Sequence, residues 1–176
     1  EKNKNILTGE YAWYNELTGE ALATEKALAR DFSQGTDTLY VHADTLRMYT
    51  YNIETDSVYR NLHGYFHARA YRTDMQAVAD SLVFTTLNNQ VTLYRDPIVW
   101  SDNRQIVGEE INVYLNDSTI DSVYVDRQAL MVERLDSAHF NQVAAQQMRT
   151  YFEEGEIKEN QAIGNVMAVN YPLEKD

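Results

Sequence analysis

The chain has 176 residues, a formal net charge of −12, and 44% hydrophobic against 24% charged residues, a balance that supports a packed core and argues against disorder. So acidic a surface repels phosphate backbones, which excludes nucleic acid as an expected partner. The chain has no Cys, which excludes disulfides, thiolate catalysis and Cys-ligated zinc, and no run nears the ~18 apolar residues of a membrane-spanning helix.

Thirteen Tyr with abundant Val and Thr favour strands, and with only seven Gly and two Pro the bends fall to Asn and Asp. The opening EKNKNILTG carries no apolar run, so the expectation is a chain whose export signal has been removed. ALATEKALARDF (21–32) has helical propensity but occupies a strand slot in the pattern below and reads as a strand. The phrase HADTLRMY (42–49) follows, and it returns as VADSLVFT (78–85), VGEEINVY (107–114) and AAQQMRTY (144–151). Between these lie GYFHARAYR, NQVTLYR, SVYVDRQALMVERL and IGNVMAVNY, all with strand-like alternation. SQGTD (33–37), LNNQ (87–90), SDNRQ (101–105), LNDST (115–119) and EEGE (153–156) supply the turns. The expected content is about 14–18 strands and under roughly 10% helix, against a base rate near one third.

Aligned on their small residue, Ala43, Ala79, Gly108 and Ala145 are followed by Asp44, Asp80, Glu109 and Gln146. Three positions after the small residue stand Leu46, Leu82, Ile111 and Met148. Ala43 and Gly108 are 65 residues apart, and so are the two copies of DSVY at 56–59 and 121–124. The spacing predicts one β domain over 1–176, built from units of about 65 residues at roughly 39–103 and 104–171, with a partial unit at 6–38.

The phrase also has internal physics. Apolar residues alternate up to the small residue, as in Leu39, Val41 and Ala43, and then change parity, as in Leu46 and Met48. Side chains alternate faces along a strand, so both sets share one interior only if a bulge or corner intervenes. The residues expected to face that interior are Val41, Ala43, Leu46, Met48, Ala79, Leu82, Phe84, Ile106, Ile111, Val113, Val143 and Met148. Asp44, Asp80 and Glu109 are expected to cap backbone N–H groups at the corner. A carboxylate ladder for metal is the competing reading, and the uncharged Gln146 in the fourth copy counts against it.

These motifs resemble a known family. HADTL, and then Tyr94, Asp96, Pro97, Ile98, Val99, Trp100 and Ser101 followed by Gln105, Ile106, Gly108, Glu109 and Ile111, are similar to the OstA-like family related to LptA, in the version found in Bacteroidetes-type bacteria. The resemblance covers roughly residues 20–170. It implies a repetitive antiparallel two-sheet jelly roll, twisted like a half-open clamp, in the periplasm. Lipid A acyl chains of lipopolysaccharide would lie between the sheets, and copies or other transport proteins would pair head to tail through edge strands. It implies no catalytic residue and no cofactor.

The residues point the same way on chemistry. No nucleophile elbow, HExxH, phosphate loop or calcium loop is present. His63 and His67 lack a third metal ligand, and His42 and His139 have no motif placing them nearby. Glu109–Glu110 and Glu153–Glu154 are adjacent pairs that point to opposite faces, so neither can flank a glycosidic bond. Trp13, Trp100 and the Tyr set read as cross-strand packing rather than a sugar platform. The expectation is a non-enzymatic lipopolysaccharide carrier without metal or cofactor. The alternative is a structural module whose interior is packed shut and whose edge strands pair with a partner.

Overall fold

The computed structural model of the protein describes residues 5–31, 37–117 and 119–172. Strands make up 72% of it, and no helix occurs among the described residues. The strands are β1 (Ile6–Thr8), β2 (Tyr11–Asn15), β3 (Glu20–Asp31), β4 (Leu39–Tyr51), β5 (Tyr59–Arg72), β6 (Met75–Thr85) and β7 (Gln90–Tyr94). They continue as β8 (Ile98–Ser101), β9 (Arg104–Val107), β10 (Glu110–Leu115), β11 (Ile120–Arg134), β12 (Phe140–Glu153), β13 (Glu156–Ile163) and β14 (Met167–Val169). ALATEKALARD is strand, and the turn clusters at 87–90, 101–105, 115–119 and 153–156 each separate two strands. Most of SQGTD lies outside the described residues.

All pairings are antiparallel, and each long strand is folded at a corner into two halves. One half-sheet joins the ends of these strands that include Leu39–Ala43 and Ala68–Arg72; the other joins those that include Leu46–Tyr51 and Tyr59–Tyr65. In the phrase strands the buried positions jump by three across the corner, from Ala43 to Leu46, and the parity flips as expected. Their neighbours do something the sequence pattern conceals. Buried positions jump by four, from Ala23 to Ala27 and from Leu93 across to Pro97, which preserves the two-residue alternation.

Two residues are extruded instead. Glu25 and Lys26 face the single Asp44, Phe66 and His67 face Asp80, and Arg127 and Gln128 face Gln146. Glu25, Lys26, His67, Arg95, Asp96, Arg127 and Gln128 all have positive φ, a conformation that costs non-glycine residues about 1–2 kcal/mol each. The bulge predicted for the phrase therefore sits opposite it, on the intercalated strands. Their carbonyls accept from the phrase backbone: Glu109 N–H donates to Arg127 O at 3.1 Å, and Gln146 N–H to Gly164 O at 2.8 Å.

The expected half-open clamp is corrected in the middle of the molecule. There β6, β7, β10, β11, β9 and β8 pair in succession and return to β6, closing a six-stranded ring. The short strands cause this: the chain breaks at Arg95–Pro97 and at Gly108–Glu109, so β7–β8 and β9–β10 bridge β6 to β11 in both half-sheets. So small a ring has room only for its own side chains. Leu82, Val91, Leu93, Ile111, Val113 and Val123 are all fully buried. On either side of the ring the half-sheets form open wings, β1 to β5 at the N-terminal side and β12 to β14 at the C-terminal side.

The small residue of the phrase is a steric requirement where the half-sheets converge. A Cβ at Gly108 would lie 2.3 Å from Val125 Cγ1. We expect Gly108→Ala to cost about 1–3 kcal/mol through overpacking, read as a lower urea midpoint. Adding Val125→Ala should recover part of that loss, and strict additivity would show that the clash is not the cause.

Candidate functional site

The twelve residues expected to face the interior are placed as follows. Val41, Ala43, Leu46, Leu82, Phe84, Ile106, Ile111, Val113 and Met148 are buried in one continuous core, and Met48, Ala79 and Val143 are partly buried against it. Of the twelve, Val41, Met48 and Phe84 line a cavity. Most of the expected cleft is filled by its own side chains, and the empty space lies at the N-terminal wing.

Two buried arginines close the interior along the lips, the side away from the corners. Arg72 ends β5 with no exposed surface, and its Nε and Nη2 donate to the two Asp74 carboxylate oxygens at 2.7 and 2.8 Å. Its Nη1 reaches the opposite lip and donates to Asn116 O at 2.8 Å. Arg104 starts β9; its Nε donates to Glu133 at 3.1 Å, and its Nη2 crosses to Glu156, on the first residue of β13, at 2.9 Å. A buried guanidinium favours partners for its donors, and each of these two finds one across the gap, while Arg104 Nη1 is left without one. Neither was singled out from the sequence, because each reads as an ordinary polar residue next to a turn.

Arg72 sits where the N-terminal wing meets the ring; further out in that wing, no side-chain hydrogen bond or ion pair between described residues joins the lips of β1 to β4. An apolar cavity of about 60 Å³ lies inside it, bounded by Leu7, Ala29, Leu39, Val41, Met48, Leu62 and Phe84, with Arg30, Asp31, Arg60 and Thr86 towards the lips. Asn5, Leu7, Met48 and Arg60 also border a wider mouth of about 420 Å³ that includes Ala12, Trp13, Tyr14, Ala21 and Thr50. Tyr14 pairs in register with the buried Ala21 and so faces inward, yet it is 60% exposed. An inward-facing aromatic left uncovered marks the point where the interior opens to solvent. Sequence reasoning missed this mouth because Tyr14 and Arg60 lie outside the four phrases.

The corner carboxylates do not cap backbone N–H groups; among the described residues they pair with the extruded side chains. Asp44 meets His67 at 2.7 Å, Asp80 meets Arg95 at 3.4 Å, and Glu109 meets Arg127 at 3.0 Å and Gln128 at 2.7 Å. Glu10 and Lys26 extend the series at 2.9 Å. The result is a ridge along the outside of the corners in which each of these acids lies opposite a basic side chain of the neighbouring strand. No cluster of three metal-ligating groups occurs among the described residues. Three of the four histidines have separate partners: His67 pairs with Asp44, His139 with Asp136, and His63 stacks against Tyr65, its pKa lowered by burial and by Arg47. The tyrosines pack in cross-strand pairs, as at Tyr51 and Tyr59 with rings 4.9 Å apart.

No known family's sequence model matches the chain, and no curated protein matches it.

The two kinds of ion pair have different energetic standing. The ridge pairs are exposed and contribute about 1 kcal/mol or less. Removing the partner of the buried Arg72 strands a charge in the core, which costs about 3–5 kcal/mol. We therefore expect Asp74→Ala to lower the unfolding free energy several times more than Asp80→Ala in urea titrations. Equal effects would mean that Arg72 is not left as an uncompensated buried charge when Asp74 is removed.

Proposed function

We propose that the protein is a non-catalytic carrier of lipopolysaccharide-type lipid in the periplasm, taking acyl chains between its two half-sheets. The observation that carries this reading is the apolar cavity of the N-terminal wing, which continues into an open mouth. Burying methylenes gains about 0.8 kcal/mol each, so a chain of about twelve carbons gains roughly 10 kcal/mol before ordering costs. The cavity as it stands is smaller than such a chain, so binding requires the lips to part. Beyond Arg72 at its border with the ring, parting the wing breaks no cross-lip bond between described residues, and Met48 is an adaptable wall. On this reading the resemblance to the OstA-like family extends to the fold, with the central ring as a local closure of a clamp that stays open in its wings.

Carriage over a distance would need further units. Both ends present unpaired edges, β1 and β2 at one side and β13 and β14 at the other, with Val166, Met167 and Val169 exposed. Such edges add a neighbour's strand, and head-to-tail addition is open-ended. The partners are then other transport proteins or further copies of this chain.

The fully packed ring favours a second reading, a structural module that pairs through these edges without lipid. Native mass spectrometry of protein purified from a lipopolysaccharide-producing host separates the two. Carriage predicts co-purifying lipid A, captured by a photo-crosslinker placed at Met48 or Phe84 and not by one at Val113 or Val123. Lipid-free protein with no capture at any interior position would leave the edge-pairing module.

A further inference from the structure

We infer that Arg60 anchors the anionic group of an acyl amphiphile whose tail enters through the N-terminal mouth. The inference rests on the acyl-binding reading above and deepens it by naming the polarity and charge of the ligand.

Arg60 shares its face of β5 with the buried Leu62, so its side chain is directed between the half-sheets at the lip. Arg72 and Arg104 are likewise inward-facing at the lips, and each is matched by a carboxylate there. Arg60 has no such match: it forms no ion pair among the described residues. Among the described residues it is also the only charged one that borders the mouth, on a chain of net charge −12. An inward-facing guanidinium without a carboxylate, beside an apolar shaft, is complementary to one kind of occupant: an apolar tail bearing a carboxylate or phosphate. The mouth volume of about 420 Å³ falls within the usual range of small-molecule sites.

The neighbouring side chains set the ligand's direction. Asp31 borders the inner cavity and not the mouth, so an anion is favoured on the outer side of Arg60, beside Thr50 and Tyr14. The tail then runs past Met48 towards Leu62 and Phe84. The head stays at the solvent edge, where a multi-chain lipid or a single-chain fatty acid would meet the same cation.

The test is calorimetric titration of the full chain with laurate, dodecyl phosphate, dodecanol and inorganic phosphate, repeated on Arg60→Gln and Arg60→Lys. We expect laurate and dodecyl phosphate to bind about 10- to 100-fold more weakly to Arg60→Gln, the loss of one charge-assisted contact. Arg60→Lys should retain most of the affinity, and dodecanol should bind all three proteins alike, which also shows that the variants are folded. Laurate binding that ignores both variants and matches dodecanol would overturn the role of Arg60 while leaving acyl binding intact. Inorganic phosphate binding as tightly as dodecyl phosphate would make this a free-anion site and overturn the amphiphile assignment. Failure of every alkyl probe would overturn this inference and the carrier reading together.

Discussion

The architecture depends on one backbone constraint: at every corner, two extruded residues on one strand must face a single residue on the next. The consequence is geometric. Strands that jump by three between buried positions alternate with strands that jump by four, and only that alternation keeps both halves of every strand facing one interior. The cost is backbone strain, since Glu25, Lys26, Arg95, Asp96, Arg127 and Gln128 occupy the left-handed region without being glycine. Continuous ladders on both sides of each corner, and one core shared by both half-sheets, hold that strain in place.

Half of this constraint was legible in the sequence. The phrase strands announce their corner by a change of parity, so Ala43 to Leu46 and Ala79 to Leu82 point to a bend. The intercalated strands announce nothing, because a jump of four keeps the period of two. TEKA, YFHA, YRDP and DRQA read as uninterrupted strand; only the charged Glu25, Arg95 and Arg127, at positions that alternation would bury, hint otherwise, and the apolar Phe66 at the same position conceals the bulge although it is exposed. The carboxylates were assigned to the right place and the wrong partner. Their cations belong to those unread residues, so Asp80 could not be matched to Arg95, nor Glu109 to Arg127, until the register was known. The mouth was invisible for a related reason: Tyr14 and Arg60 acquire meaning only once their strands are seen to face a gap. The ring was missed because nothing in the composition of β7 to β10 says that short strands will bridge two long ones.

The ring and the wings divide the labour of the fold. The ring carries fully buried apolar side chains and is flanked by the two cross-lip arginines, Arg72 joining β5 to the loop after β10 and Arg104 joining β9 to β13. The outer strands of the N-terminal wing repeat the same corners and walls without a cross-lip bond between described residues, and their interior is reachable from solvent. An otherwise uniform strand pattern thus becomes a closed section and an adaptable one, through the placement of a few arginines and of two breaks in the chain. Binding, on this account, is a property of the adaptable section, and the ring supplies the frame from which it opens.

The claim that the interior is accessible at one wing and sealed in the ring can be measured directly, since the chain has no Cys of its own. Single substitutions Met48→Cys and Val113→Cys, treated with an apolar thiol reagent under native conditions, report on the two sections separately. The account predicts rapid labelling at position 48, slowed by laurate, and labelling at position 113 only as fast as global unfolding allows. Equal rates at the two positions, or a position 48 as protected as position 113, would contradict it.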